Sequence, residues 1–228
     1  MSESSRNWGA VTPIERKLQQ IGNNSYDAHD DLRKVIDEKI PLANKINHLL
    51  RVTKDETGID IGCGIGIHAV YFANLCKNLY AIDITDNFLD LYNEVVQNVP
   101  NITRMVSANF PMFARIPDES IDFAYSSAVF CHLNVYDTYL YFEELSTKLK
   151  PGGRFYVNFQ NSDHLDFGDS FDVFISNYKN GGTMRPIPVT GLQLHGHGYF
   201  IAVGRKFAMD VRYEAINNGY SEMVLVRR

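Results

Sequence analysis

The stretch that decides the fold is TGIDIGCGIGIHAVYFANLC, residues 57–76, in which a short apolar run leads into three closely spaced glycines. Gly62, Gly64 and Gly66 alternate with other residues, and a segment with helical spacing of its apolar residues follows them. A strand that passes through a glycine-rich turn into a helix lets the backbone approach a ligand closely. The stretch therefore predicts a ligand site at the end of a first strand.

The spacing of the glycines differs from that of two common phosphate-binding turns. A dinucleotide-binding turn follows the pattern G-x-G-x-x-G, but its third glycine would fall at Ile67, and the glycine here comes one residue earlier. A P-loop needs Gly-Lys followed by Ser or Thr, which this stretch lacks. A nicotinamide dehydrogenase and a P-loop nucleotidase are therefore disfavoured.

Two acidic residues at predicted strand ends indicate a different ligand. Asp60 precedes the first glycine by two residues, where a carboxylate would repel a pyrophosphate but attract an ammonium group. Asp83 ends the predicted second strand, LYAIDI (79–84), and can accept hydrogen bonds from two adjacent ribose hydroxyls. A ribose with a cationic, amino-acid-like tail and no phosphate describes S-adenosylmethionine.

Strands and helices alternate along the middle of the chain. Strands are predicted at 57–61, 79–84, 102–108, 121–127 and 154–159, with helical segments between several of them. Such alternation is typical of βαβ units and a mainly parallel sheet. Near the C-terminus only NNGY separates two further strand-like segments, and Asn-Gly is typical of a hairpin. The prediction is an α/β fold with a seven-stranded mixed sheet, a C-terminal antiparallel hairpin and helices on both faces.

Two segments fall outside this alternating pattern. Residues 1–50 carry apolar residues at helical intervals and are predicted to form an N-terminal helical cap, in which Pro41 kinks or splits the second helix. Residues 160–196 separate the fifth strand from the next helix by far more than an ordinary connection of about 4 to 6 residues. We interpret them as an inserted lid or hairpin within a ligand-binding domain that spans residues 51–228.

The chain resembles the class I S-adenosylmethionine-dependent methyltransferases over roughly residues 55–160. Four motifs carry the resemblance in order along the chain, namely DIGCGIG, AIDIT, IDFAYSSAVFCHL and LKPGGRFYVNF. The resemblance implies a Rossmann-like sheet and S-adenosylmethionine as cofactor, with S-adenosylhomocysteine as product. It also implies an enzyme that moves a methyl group to an acceptor by in-line displacement.

The resemblance assigns the amino-acid part of the cofactor to one group of residues. The backbone of Gly62, Cys63 and Gly64 would lie against this part, with Asp60 at its ammonium group. Ser126 and Ser127, at the end of the fourth strand, would lie beside the methionine portion.

The resemblance assigns the nucleoside part to a second group of residues. Asp83 would bind the ribose, and Ile84 would pack on the adenine. The loop after the third strand would contact the adenine amino group through Asn109, and a different register would put Ala108 or Phe110 in that place.

Three histidines are the candidates for the acceptor side of the site. A hydroxyl acceptor has a pKa well above neutrality and benefits from a general base. His132 follows the fourth strand, while His195 and His197 lie where the inserted segment rejoins the domain. The H-x-H pattern occurs often by chance, and we predict no metal site.

Composition limits the class of acceptor. The chain has 228 residues, with 22 Lys and Arg against 27 Asp and Glu, so its net charge is −5, and it contains no basic block. Both features disfavour a nucleic-acid partner. We therefore predict a small-molecule or glycan-type acceptor that is methylated at oxygen. A nucleic-acid or protein methyltransferase and a non-catalytic S-adenosylmethionine-binding subunit remain as alternatives.

The sequence also indicates the compartment. No apolar run is long enough to span a membrane, and the N-terminus lacks the features of a signal peptide. The three cysteines form no C-x-x-C pair, as expected for reduced thiols in a cytoplasmic protein. We predict a cytoplasmic protein without a membrane partner, and a homodimer is left open.

Overall fold

The computed structural model describes residues 28–86, 89–164, 194–217 and 220–228. Its helices are α1 (Ala28–Leu50), α2 (Ile67–Ala73), α3 (Leu89–Val96), α4 (Val135–Lys148) and α5 (His197–Lys206). Its strands are β1 (Thr57–Ile61), β2 (Asn78–Asp83), β3 (Ile102–Val106), β4 (Ile121–Ser126), β5 (Leu149–Asn161), β6 (Leu194–His195), β7 (Met209–Asn217) and β8 (Tyr220–Arg227). Two 3₁₀ turns, Phe130–His132 and Ser162–His164, complete the elements of the described residues.

One mixed sheet connects all of these strands, in the order β3-β2-β1-β4-β5-β8-β7. The strands from β3 to β5 are parallel, whereas β8 runs antiparallel to both β5 and β7. The two-residue β6 pairs with the end of β5 and lies off this path. The predicted seven-stranded mixed sheet with a C-terminal antiparallel hairpin is confirmed, and β6 is an addition that the sequence did not indicate.

The sheet buries side chains on both of its faces, as a period of two residues along each strand requires. On one face, Phe155 and Phe159 of β5 pack with residues of α4 and α5, and the Phe159 and Phe200 rings stack with centroids 3.7 Å apart. On the other face, Tyr156 belongs to the cluster that contains residues of α1, α2 and α3. Helices therefore cover both faces of the sheet, as predicted.

Helix α1 continues through Pro41 as a single helix, so Pro41 does not split it, and the alternative of a kink stays a prediction. Proline removes one helical hydrogen bond, but Ile46 and Leu50 beyond it are fully buried in the core. Lys45 also forms an ion pair with Glu222 of β8. These tertiary contacts outweigh the lost bond. None of the helices in the described ranges, α1 included, is long and apolar enough to cross a membrane.

Large parts of two predicted segments lie outside the described residues. These parts are residues 1–27 of the predicted N-terminal cap and residues 165–193 of the predicted insertion, so the lid or hairpin stays a prediction. The described ends of the insertion meet each other, because the His197 amide donates to Asp163 Oδ2 at 2.8 Å. The two described ends of this region therefore meet at one place beside the end of β5, and the insertion itself stays a prediction.

Candidate functional site

A cavity of about 250 Å³ lies at the carboxyl ends of β1, β2 and β4. Its wall comes from the turn after β1, the first residues of α2, the end of β2, the segment after β4, and single residues of α1 and α4. β1 lies between β2 and β4, so the chain crosses to opposite sides of the sheet around this strand. Ligands of open α/β sheets bind at such a switch point. The cavity therefore stands where the glycine stretch predicted a ligand site.

The turn after β1 requires glycine for two separate reasons. Gly62 has a φ of 75°, a left-handed backbone that residues with side chains rarely adopt. A Cβ atom on Gly62 would also lie 2.2 Å from Val129 Cγ2, in the segment after β4. The amides of Gly62 and Cys63 donate to the Ile82 carbonyl at 2.8 and 3.0 Å. The turn is thus held against β2 while it packs closely on the segment after β4.

The Asp60 carboxyl lies in the cavity wall and is almost fully buried. Its Oδ2 atom has no hydrogen-bond partner within the described part of the chain. Burial raises the pKa of Asp60 to about 7, the Tyr125 hydroxyl lowers it in part, and the charge of Asp83 raises it again. A buried polar atom without a partner is costly unless a ligand completes it. The Asp60 carboxyl is therefore a place for a cation with N–H donors.

The Asp83 carboxyl, at the end of β2, lines the same cavity. Its Oδ2 accepts a hydrogen bond from the Gly64 amide at 2.8 Å, and its Oδ1 accepts one from the Thr85 amide at 3.2 Å. Burial raises the pKa of Asp83, and these amides lower it in part. Two carboxylate oxygens offer about four acceptor positions in total, so capacity remains for a ligand. Asp83 can therefore hold the turn and, at the same time, accept hydrogen bonds from the hydroxyls of a ligand.

The structure brings together the residues that were predicted from the ends of β1 and β2. The predicted residues that line the cavity are Asp60, Gly62, Cys63, Gly64, Asp83 and Ile84. The Cys63 thiol stays protonated, because burial raises its pKa well above the ordinary value. Cys63 thus contributes its backbone and its bulk to the cavity rather than a reactive thiolate.

Ser126 is not part of the cavity wall. It is fully buried, and its hydroxyl donates to the Ile61 carbonyl at 3.1 Å, between the adjacent strands β4 and β1. Its neighbour Ser127, which was predicted together with it, does line the cavity. A shift of one residue at the strand end accounts for the difference, because successive side chains point to opposite faces.

The loop after β3 starts beside the cavity but does not line it. Within this loop Asn109 is exposed, while Ala108 and Phe110 are half-buried. The Phe110 ring meets the Tyr141 ring edge-on, with centroids 5.3 Å apart, and Tyr141 does line the cavity. The adenine contact of this loop stays a prediction.

The three candidate histidines lie in different places. His132 ends the 3₁₀ turn after β4 and lines the cavity. His195 is buried, burial lowers its pKa, and its Nε2 donates to the Leu133 carbonyl at 2.8 Å. His197 begins α5, and its Nε2 lies 2.8 Å from Glu214 Oε2. Neither His195 nor His197 lines the cavity, so His132 is the candidate that the structure places beside the cofactor residues.

Two basic residues of the cavity wall were missed by the sequence reasoning. They are Lys39 of α1 and His68 in the first turn of α2. Burial lowers the pKa of His68 to about 4, and the charge of Lys39 lowers it further. The position of His68, two residues after the last glycine, could have indicated it. Lys39 belongs to a separate helix and carries no local signal.

The wall of the cavity fits S-adenosylmethionine better than a metal or a dinucleotide. Within the described residues, no group of three or more His, Cys, Asp or Glu side chains could hold a metal ion. The described part of the wall contains one lysine and no arginine, which is a poor set for a pyrophosphate. The partnerless Asp60 oxygen suits the cofactor's ammonium group, and the Asp83 oxygens suit its ribose hydroxyls.

Comparison with known sequences gives two matches. Residues 59–157 match a family model described as a methyltransferase domain. An uncharacterised methyltransferase of Schizosaccharomyces pombe is 26% identical over 199 residues, which cover 82% of this chain and 65% of that protein. The chain thus spans a little under two thirds of the length of this relative. The family match contains the glycine turn and the segment after β4, but not α1.

Comparison with solved structures gives the same fold. A SAM-dependent methyltransferase from Aquifex aeolicus has a TM-score of 0.62 at 15% identity, covering 96% of this chain and all of that one. Geranyl diphosphate C-methyltransferase from Streptomyces coelicolor, with S-adenosyl-L-homocysteine, has a TM-score of 0.67 at 12% identity, covering 100% and 98%. Magnesium protoporphyrin IX methyltransferase from Synechocystis, with bound SAH, has a TM-score of 0.64 at 13% identity, covering 98% of both chains. At these identities the likeness concerns the fold.

Proposed function

Because the chain carries a class I S-adenosylmethionine-dependent methyltransferase domain, we propose that it methylates an oxygen atom of a small-molecule or glycan-type acceptor. When bound, S-adenosylmethionine supplies a methyl group already activated on a sulfonium. The tasks of the protein are then to hold the cofactor, to keep the acceptor in line with the methyl group, and to take up a proton.

The cofactor would be held by the residues that converge at the ends of β1 and β2. The Asp60 carboxylate takes the ammonium group, and the backbone from Gly62 to Gly64 lies along the amino-acid part. Asp83 accepts from the ribose hydroxyls, and Ile84 packs against the adenine. The observation that carries this assignment is the buried Asp60 Oδ2 atom, which has no partner within the described residues.

The acceptor would occupy the side of the cavity formed by the segment after β4 and by α4. His132, Leu133 and Tyr141 line this side. The His132 imidazole can take up the proton of the hydroxyl that is methylated, whereas Leu133 and Tyr141 offer mainly apolar surface. His195 and His197 take structural roles in this proposal, at the junction where the insertion rejoins the domain.

Charge favours a small or glycan-type acceptor over a nucleic acid. The net charge is −5, and the cavity wall, as far as the structure describes it, holds Lys39 as its one lysine or arginine. The names of two proteins with similar structures refer to small molecules, a magnesium porphyrin and geranyl diphosphate. The three cysteines are free and buried, which supports a cytoplasmic location.

An acceptor screen by mass spectrometry tests the proposal. The full chain is incubated with S-adenosylmethionine carrying an isotopically labelled methyl group and with pools of hydroxylated metabolites and oligosaccharides. We expect a labelled O-methyl product, and His132→Ala should lower turnover by about 100-fold, the usual contribution of a general base. Calorimetry with S-adenosylhomocysteine is the control and should give the same affinity for both proteins. Label found only in RNA or protein would overturn the acceptor class, and normal turnover of His132→Ala would remove its role as base.

A further inference from the structure

The amino-acid end of the cavity contains two residues that the proposed function does not use, Lys39 and His68. Lys39 comes from α1 and lies outside the segment matched by the methyltransferase family model, residues 59–157. His68 comes from the first turn of α2. Both therefore bring further groups to the wall that contains Asp60.

The His68 imidazole presents a buried nitrogen without a partner. Its Nε2 atom makes no hydrogen bond with any described residue, and the imidazole is neutral near pH 7, because burial lowers its pKa to about 4. A hydrogen bond to the Lys39 carbonyl raises this pKa in part, which assigns the ring proton to Nδ1 and leaves Nε2 as an acceptor.

Tyr125 is a neighbour of both His68 and Asp60. The His68 and Tyr125 rings meet edge-on with centroids 6.4 Å apart, and the Tyr125 hydroxyl lowers the pKa of the Asp60 carboxyl. Asp60 Oδ2 and His68 Nε2 are thus two buried acceptors in one wall of the cavity, and neither has a partner among the described residues. An ammonium group has three N–H donors and can serve both of them.

The carboxylate of an amino-acid tail would also need a cation close to these acceptors. In an α-amino acid the carboxylate is attached to the same carbon as the ammonium group. A carboxylate beside Asp60 and Asp83 would be repelled unless a positive charge is close. Among the wall residues that the structure describes, Lys39 is the one lysine or arginine, and its side chain lies next to His68.

We propose that Lys39 and His68 recognise the amino-acid end of the cofactor. The Lys39 ammonium pairs with the cofactor carboxylate, and His68 Nε2 accepts a hydrogen bond from the cofactor ammonium group beside Asp60. This inference rests on the proposed cofactor site. It makes α1 a part of that site and a determinant of its preference for ligands with an intact amino-acid tail.

Calorimetry with two ligands separates this role from a structural one. S-adenosylhomocysteine carries the amino-acid tail, whereas 5′-methylthioadenosine has the same nucleoside and thioether without it. Lys39→Met keeps most of the aliphatic stem and should weaken S-adenosylhomocysteine binding by about five-fold or more, since a charge-assisted pair at a partly exposed lysine is lost. Its affinity for 5′-methylthioadenosine should stay that of the wild type.

Further variants complete the test. Lys39→Arg should restore most of the affinity, and His68→Leu should weaken S-adenosylhomocysteine selectively. Lys77→Met removes one exposed lysine at the start of β2, at the opposite end of the sheet, and should change neither affinity. Wild-type affinity of Lys39→Met for S-adenosylhomocysteine, or an equal loss for both ligands, would overturn the inference. A wild-type protein that binds neither ligand would instead overturn the cofactor site itself.

Discussion

Ionisation of the buried Asp60 carboxyl lowers the stability of the ligand-free protein, and a bound cation would remove this loss. Its ordinary pKa of 3.8 is raised to about 7 on folding, first by burial. A carboxyl whose folded pKa is raised contributes stability at low pH, and this stability is lost as the pH rises from about 4 to about 7. Above that range the ligand-free protein holds a buried negative charge, and no described residue partners its Oδ2 atom.

Asp60→Asn should therefore stabilise the empty protein at neutral and higher pH. The expected gain in the free energy of unfolding is on the order of a few kcal/mol at about pH 8 and smaller at about pH 5. Urea denaturation at the two pH values measures it. Asp118→Asn is the control, because Asp118 is exposed and its Lys148 partner lowers its pKa, so it should show no such gain. Equal stability of Asp60→Asn and wild type at pH 8 would contradict the assigned cost.

The affinity for S-adenosylhomocysteine should fall as the pH drops below about 7. The ligand's ammonium group favours the ionised form of Asp60, so protonation of the carboxyl competes with binding. Binding should weaken by up to about tenfold per pH unit below that pKa, as expected for the uptake of one proton. Calorimetry between about pH 5.5 and 8.5 measures the slope, and Asp60→Asn should remove it. A flat profile in the wild type would mean that Asp60 is not at the ammonium group.

Gly62 and Gly152 allow the effects of backbone strain and of steric overlap to be separated. Both have a positive φ, 75° and 80°, but a Cβ on Gly152 would meet nothing within 4 Å, whereas one on Gly62 would overlap Val129. Gly152→Ala should lower the midpoint of thermal unfolding slightly, through strain of about 1 kcal/mol. Gly62→Ala should lower the midpoint more and also weaken S-adenosylhomocysteine binding. Equal decreases of the unfolding midpoint for the two substitutions would show that Val129 can move aside without a loss of stability.

At the scale of elements, α1 is fastened to the sheet by a buried acidic residue of β8. Glu222 accepts a hydrogen bond from the Tyr156 hydroxyl at 2.9 Å and one from the Tyr213 hydroxyl at 3.4 Å, and it pairs with Lys45 of α1. The carboxylate is nearly fully buried, while the Lys45 side chain is 44% exposed. The two partners should therefore respond very differently to substitution.

Glu222→Ala should cost about 2 kcal/mol or more in the free energy of unfolding, because the buried Tyr156 hydroxyl and the part-buried Tyr213 hydroxyl lose their acceptor. Lys45→Met should cost less than about 1 kcal/mol, since its charge is partly exposed. Chemical denaturation of both variants gives the comparison. A larger loss of unfolding free energy for Lys45→Met than for Glu222→Ala would show that the ion pair, and not the buried acceptor, contributes most of the stability of this contact.

Elements could be predicted where a pattern along the chain is local. The strand ends at Asp60 and Asp83 followed from apolar runs, and their convergence followed from the rule that parallel strands share one carboxyl edge. The continuity of α1 through Pro41 could not be predicted, since it depends on packing against a distant β-sheet. The two residues of β6 are too few to show any periodicity.

At the scale of the whole molecule, the candidate site combines predictable and unpredictable parts. The glycine turn and both carboxylates could be predicted, because the turn and Asp60 belong to one short segment and Asp83 ends the neighbouring parallel strand. Lys39 enters from a helix that docks through tertiary contacts, and no spacing in the sequence relates it to the turn. His195 and His197 were chosen for their position beside an insertion, but their rings are engaged at the Leu133 carbonyl and at Glu214.

The identity of the ligand is tested most directly by titration calorimetry of the full chain with S-adenosylmethionine and, separately, with NAD. We expect saturable binding of S-adenosylmethionine at one site per chain, no binding of NAD, and an affinity at least about tenfold lower for Asp83→Ala, which loses its ribose acceptors. Absence of S-adenosylmethionine binding, or preferential binding of NAD, would contradict the assignment of this cavity as a methyl-donor site.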